Sequence, residues 1–315
     1  MIIRAKYVVP VTGQPIANGA VAVRGEQIAA VGPVAAITPE PWEEVRDLGE
    51  VALAPGLINA HCHLDYTCLR GELQWRGSFV EWLLQIVAAK QLHSQDEYVR
   101  GTARGAEQLL DFGATTVVNI TAFPRILDQL PGLPLRTVWC LEMIDLYQEA
   151  TAEEIVRKME GFIEAHPQLA GWCGFSPHAP YTASQTLYTL AAGAAAARGA
   201  LLTTHVAESS EEDDMFRRGT GPMYDYFARA GRDMGDCKRL GVVQLLAEWG
   251  VLGTNCLAVH ANCLTPHDVK LLHKTGTHVV HCPKSHRYFN RGVPMLSALW
   301  EEQVNICLGT DSLAS

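Results

Sequence analysis

Apolar residues fall along this chain in two textures. Up to about residue 53 they form short stretches, Ile2-Ile3, Tyr7-Val8-Val9, Val21-Ala22-Val23 and Ile28-Ala29-Ala30-Val31, separated by Gly13, Asn18-Gly19, Gly25 and Gly32-Pro33. Short apolar stretches broken by turn residues predict strands, so residues 1–53 are expected to form a small β-rich domain. From Pro55 onward the texture changes to brief continuous apolar runs, each followed by a longer helical pattern. Eight such runs predict buried strands: Leu57–His61, Thr115–Ile120, Arg136–Leu141, Gly171–Ser176, Leu201–His205, Cys256–His260, His278–Cys282 and Asn305–Gly309. Helical spacing predicts helices over Phe79–Leu92, Asp96–Phe112, Ala152–Ala165, Ser184–Arg198 and Pro266–Lys274, several opened by N-caps such as Ser94, Thr151 and Thr265. A βα unit repeated about eight times over about 250 residues predicts an α/β fold, a (β/α)8 TIM barrel spanning residues 54–315. The chain ends at Ser315, directly after the eighth run, leaving no residues for an eighth helix, as expected of a piece of a longer protein.

Composition narrows the class. A chain of 315 residues, 48% hydrophobic and 19% charged, can bury one large core with a smaller attachment. A net charge of −9, with no basic stripe, argues against nucleic acid as a partner. The nine cysteines include no CxxC pair and suggest neither a disulfide framework nor a thiolate metal site, which fits a reduced, cytoplasmic setting. The amino terminus MIIRAKYVVP lacks the apolar core of a signal peptide, and no apolar run approaches the roughly 20 residues of a membrane span, so no membrane partner is expected.

The segment Pro55–Asp65, PGLINAHCHLD, carries the strongest chemical signal. Side chains at i and i+2 of a strand share one side, so His61 and His63 at the end of strand one can share one cation; in a loop they would be two surface histidines. Strand five ends in Thr204-His205-Val206-Ala207-Glu208, strand six in Val259-His260-Ala261-Asn262 and strand eight in Gly309-Thr310-Asp311-Ser312. Each polar group follows an apolar run, at the barrel end where catalytic residues collect. Glu208 stands three residues after His205, placed either to move protons over the same site or to favour the start of a helix near Ser209-Ser210. Trp75, Phe79 and Trp82 can wall a flat heterocycle, although the last two, at helical spacing, also fit an ordinary core.

With these motifs, and with SPHAPYT at 176–182, HCPKS at 281–285 and LGTDSLAS at 308–315, the chain resembles the amidohydrolase superfamily. The likeness is to its branch of cytosine and guanine deaminases, chlorotriazine hydrolases and methylthioadenosine/S-adenosylhomocysteine deaminases. The resemblance implies one divalent metal, zinc or sometimes iron, held by His61, His63, His205 and Asp311. It also implies a substrate contact from His178, which could instead order its own loop, and a small β-sandwich of which residues 1–53 supply half. Two-metal members of that superfamily resemble one another in placing a carboxylated lysine on strand four; Gly171–Ser176 contains no lysine, so a single metal is expected.

A metal in such a site lowers the pKa of bound water toward neutrality. Asp311 would take the water's proton, His260 would orient the water and stabilise the developing alkoxide, and Glu208 would protonate a ring nitrogen beside the attacked amidine carbon. The methylthioadenosine/S-adenosylhomocysteine deaminases carry a ribose-gripping acid near the end of the first helix, where this chain reads Ile86-Val87-Ala88-Ala89-Lys90. After strand seven SHRYF replaces the usual SN pattern, resembles aminodeoxyfutalosine deaminases and puts His286 near the expected pocket. The expected substrate is therefore a small amino-substituted heterocycle, an adenine-type nucleoside first. Triazine hydrolysis, guanine or cytosine deamination and an inactive metal-binding scaffold are the alternatives, and association into a homo-oligomer stays open. Deaminases of the cysteine–zinc type are excluded, because neither HxE nor PCxxC occurs.

Overall fold

Short strands separated by turn residues build the amino-terminal sheet. In β1 (Ile2–Val8) the polar Arg4 and Lys6 interleave with buried Ile2, Ala5 and Val8, so the two apolar stretches at its ends belong to one strand. β1 pairs antiparallel with β2 (Ile16–Arg24), and β2 pairs antiparallel with β3 (Gln27–Pro33) through a turn at Gly25, whose φ of 59° suits glycine. The short β4 (Val45–Asp47) and β5 (Ala52–Leu53) run parallel to β1. Ile2, Ala20 and Ala22 bury their side chains together, with Val34 and Ile37 against them. The structure, a computed structural model, describes residues 1–146, 150–169 and 171–315, and the chain divides into two compact units, Met1–Leu57 and Ile58–Ser315.

The second unit contains the barrel. Its strands are β6 (Leu57–Cys62), β7 (Ala114–Thr121), β8 (Arg136–Met143), β9 (Cys173–Pro177), β10 (Leu201–Val206), β11 (Cys256–His260), β12 (His278–His281) and β13 (Ile306–Leu308). They lie side by side in chain order, and the pairs from β7 to β13 run parallel. A parallel bridge between Cys62 and Asp311 joins the first strand to the last, and Thr310 N and Asp311 N donate to His61 O at 3.0 and 3.1 Å. This is the eight-stranded barrel that the apolar runs predict. Ala60, Val118, Ile120, Cys140, Leu257, Val259 and Val280 fill its interior, as buried strands of alternating large and small apolar residues should.

Ten α-helices occur among the described residues: α1 (Phe79–Lys90), α2 (Gln95–Asp111), α3 (Ala152–Ala165), α4 (Gln185–Arg198), α5 (Ser210–Arg218), α6 (Pro222–Arg229), α7 (Val242–Glu248), α8 (Pro266–Thr275), α9 (Pro283–Tyr288) and α10 (Leu296–Glu301). Ser94, Thr151 and Thr265 each form a full capping box, with Glu97, Glu154 and Asp268 returning the bond, so local side-chain chemistry sets where α2, α3 and α8 begin. The short α6, α7, α9 and α10 have no counterpart in the sequence reading. They run for six to eight residues, too few turns to establish a helical period, and four of the seven residues of α7 are buried apolar ones. Among the described residues, no helix is long and apolar enough to cross a membrane.

Candidate active site and metal centre

Every strand-end group singled out from the sequence arrives at the same end of the barrel. His61 is the penultimate residue of β6, His63 follows directly after that strand, His205 sits in β10, His260 ends β11 and Asp311 lies three residues past β13. All five are buried, none more than 8% exposed. His260, Ala261 and Asp311 adopt φ values of 72°, 48° and 59°, a left-handed backbone that non-glycine residues resist. Hydrogen bonds to the neighbouring strands hold it: Ala261 N donates to Val206 O at 2.9 Å, and Asp311 N to His61 O. Gly309 is required beside them, because a Cβ there would lie 2.9 Å from His61 Cβ.

The histidine nitrogens and the Asp311 carboxylate converge in two overlapping trios, His61–His63–Asp311 and His61–His205–His260, each with its ligand atoms within 4.8 Å of one another. Tautomers follow from the backbone: His205 Nδ1 donates to His178 O at 2.8 Å, which leaves its Nε2 with a lone pair facing His63 Nε2 at 3.3 Å. Two ligands each about 2.0–2.1 Å from a tetrahedral cation stand about 3.3 Å apart, so this spacing suits a shared ion. Both ring nitrogens of His61 are buried without a hydrogen-bond partner, another sign that the site is built for a cation. Asp311 Oδ1 lies 3.6 Å from His61 Nε2 and 3.9 Å from His63 Nε2.

Burial sets the proton states. It pushes His63 and His260 well below the usual histidine range and His205 down to about 4, with neighbouring imidazoles adding to the effect, so these rings offer lone pairs. Burial alone would raise Asp311, but the imidazoles of His61, His260 and His63 around it hold it well below the ordinary carboxylate range. Glu208 goes the other way. Burial, and then the charge of Asp311, lift it well above its ordinary value, which favours its protonated form. Its Oε2 stands 3.7 Å from His260 Nε2. The helix cap falls to the next residue instead, since Ser209 accepts from Glu212 N, while Glu208 N donates to Glu212 Oε2 at 2.7 Å.

The cluster opens into a cavity of about 290 Å³ whose walls include His63, His178, His205, Glu208, His260 and Asp311. Phe79, Trp82, Leu83 and Ile86 of α1 form an apolar side of it, and the Phe79 and Trp82 rings lie nearly parallel at 5.9 Å. His178 Nδ1 is 2.6 Å from Thr182 Oγ1, and its carbonyl also receives His205 N at 3.0 Å, so this residue orients a candidate ligand as well as lining the cavity. Two expected contacts are corrected. Trp75 does not line the cavity: it packs edge-on against Phe289 with Arg291 over its ring. His286 does not line it either; its two nitrogens meet Asn262 Oδ1 at 2.9 Å and Gly292 O at 2.7 Å.

Several participants escaped the sequence reading. Asn59 ties strand one to strand eight, donating to Thr310 Oγ1 at 2.8 Å and accepting from Thr310 N at 3.1 Å. Asn262 Nδ2 donates to Glu208 O at 3.0 Å. Glu142 and Lys90 also line the cavity. A buried Asn beside a histidine motif was the available signal for Asn59; for the others the contacts depend on distant segments.

A closed parallel barrel with a buried histidine–carboxylate cluster at its strand ends, opening into an apolar cavity, defines a hydrolase that works with a divalent metal. The chain belongs to the amidohydrolase family, whose family model matches residues 52–315. It is 31% identical to the aminodeoxyfutalosine deaminase of Deinococcus radiodurans over 94% of its own length and 72% of that protein's. It is 30% identical to a 5-methylthioadenosine/S-adenosylhomocysteine deaminase of Syntrophobacter fumaroxidans, over 96% of this chain. The chain spans only 66% of that second relative. Among solved structures it resembles an adenosine deaminase from Xanthomonas campestris with bound zinc, at 26% identity and a TM-score of 0.78, covering 100% of this chain and 69% of that one.

Proposed function

We propose that this protein is a metal-dependent hydrolytic deaminase of an adenine-type nucleoside, using one zinc ion, with residues 1–53 as part of a small β domain and 54–315 as the catalytic barrel. The observation that carries the reading is Glu208, a buried carboxyl 3.7 Å from His260 beside the histidine–aspartate cluster and lining an apolar cavity, where burial favours its protonated form. Deamination of an amidine needs such a group, since the leaving ammonia and the ring nitrogen must both receive protons. The names of the two relatives, and the zinc in the Xanthomonas adenosine deaminase, support the substrate class and the metal.

His61, His63, His205 and Asp311 are the proposed holders of the cation, which when bound brings the ionisation of water toward neutral pH. Asp311, kept deprotonated by the surrounding imidazoles, accepts the proton of the attacking water. His260, neutral and buried, orients that water and donates to the oxygen as charge develops on it. Glu208 gives its proton to the ring nitrogen next to the attacked carbon; as the C–N bond breaks, Asp311 passes the proton taken from water to the departing amine, and the hydroxyl proton left on the former amidine carbon returns to Glu208 as the carbonyl forms. The lack of a lysine on β9, Cys173–Pro177, supports a single metal.

Ammonia release from the zinc-loaded protein, measured across adenosine, methylthioadenosine, guanine, cytosine and an aminotriazine, tests the proposal. Turnover of the adenine nucleosides above the other compounds is expected. Preference for guanine, cytosine or the triazine, or no release from any compound, overturns it.

A further inference from the structure

Glu142 has no part in the chemistry above, yet it is a costly residue to keep. It lies on β8 between the fully buried Leu141 and Met143, its side chain is 7% exposed, and it lines the cavity. Among the described residues, no N–H or O–H donates to its carboxylate; Lys90 Nζ stands 4.0 Å away and donates instead to Tyr66 Oη at 2.8 Å. Burying a carboxylate without donors is unfavourable, so such a group persists where a ligand supplies them. Lys90 also fixes the kind of ligand. Its ammonium balances the Glu142 charge, so an anionic ligand group would meet the carboxylate and a cationic one the ammonium. A neutral group carrying two adjacent O–H donors suits a carboxylate with both oxygens unfilled.

We propose that Glu142, with Lys90 as its counter-ion, forms a sugar subsite that binds the vicinal hydroxyls of a ribose-bearing substrate. The inference rests on the nucleoside reading and makes it specific: the base faces Glu208 and Asp311, and the ribose, not a deoxysugar, faces Glu142.

Equilibrium binding separates this from the deamination chemistry, because inosine and 2′,3′-dideoxyinosine carry no amino group to lose. The unaltered, metal-loaded protein is expected to bind inosine about 10–100-fold more tightly than dideoxyinosine, as hydrogen bonds to a charged acceptor should give. Glu142→Gln should bring that ratio to within about threefold and leave dideoxyinosine binding unchanged, and Glu142→Asp, charged but shorter, should fall between. Equal affinities in the unaltered protein, a loss shared by both ligands in Glu142→Gln, or no binding of either nucleoside overturns the inference. The comparison of the two ligands on the unaltered protein stands even if a variant does not fold. Retained preference for inosine without ammonia release from adenosine would instead remove the deaminase reading and leave the sugar subsite in place.

Discussion

The two sides of the cavity are built by different means. On one side, His61, His63, His205, His260 and Asp311 sit at or next to the ends of strands, and main-chain bonds across the barrel fix their backbone. On the other, α1 presents Phe79, Trp82 and Ile86 from a helix whose start is capped by Ser78 and braced by one side chain of another helix. Glu211, in the first turn of α5, accepts from Phe79 N at 2.7 Å, Val80 N at 3.1 Å and Ser78 Oγ at 3.4 Å. The cluster side is thus rigid by construction, as metal ligation and proton transfer require, whereas the apolar side can be tuned without disturbing the chemistry. Glu208 and Glu211 belong to the same short stretch, so the proposed proton carrier and the support of the apolar wall are covalently close.

That contrast can be broken from either side. The largest effect is expected from His205→Gln, which replaces an imidazole nitrogen of the proposed ligand set by a weakly binding amide: metal content and activity should be lost together, read by elemental analysis and ammonia release. Metal retained at the parent level would show that His205 is not a ligand. An intermediate effect is expected from Glu211→Gln. Weakened bonds at the start of α1 should raise KM several-fold and lower stability by about 1–2 kcal/mol, with metal content and kcat near those of the parent. A fall in kcat without a change in KM would mean that α1 takes part in the chemistry. The smallest effect is expected from Ser209→Ala, loss of the α5 cap, at about 1 kcal/mol in thermal or denaturant unfolding with turnover within a few-fold.

The same division separates what could be read in the sequence from what could not. His61 and His63 were legible because period-two alternation places them together, and His205, His260 and Asp311 because each terminates an apolar run that can only be a buried strand. Eight such runs in order made the barrel legible too, since parallel neighbours follow chain order. Asn59 and Thr310, 251 residues apart, meet only through closure of the barrel, and no local pattern announces that bond. Glu142 and Lys90 were hidden for the same reason: one is a lone carboxylate in an apolar strand, the other reads as the charged end of an amphipathic helix. Trp75 and His286 mark the opposite error. Both are near a motif along the chain, but nearness in a loop does not fix direction, and Phe289, Arg291, Asn262 and Gly292 hold them elsewhere.

The central claim is that Glu208 carries protons, and Glu208→Gln tests it most directly because the change keeps size and removes only the ionisable group. Metal content, thermal unfolding and ammonia release from the best adenine nucleoside should be measured on the variant and its parent together. The account predicts unchanged metal, a similar unfolding temperature and a rate lower by about 10²–10⁴-fold, or roughly 3–5 kcal/mol of barrier. A variant that holds its metal, folds normally and turns over within a few-fold of the parent would contradict the account at its central step.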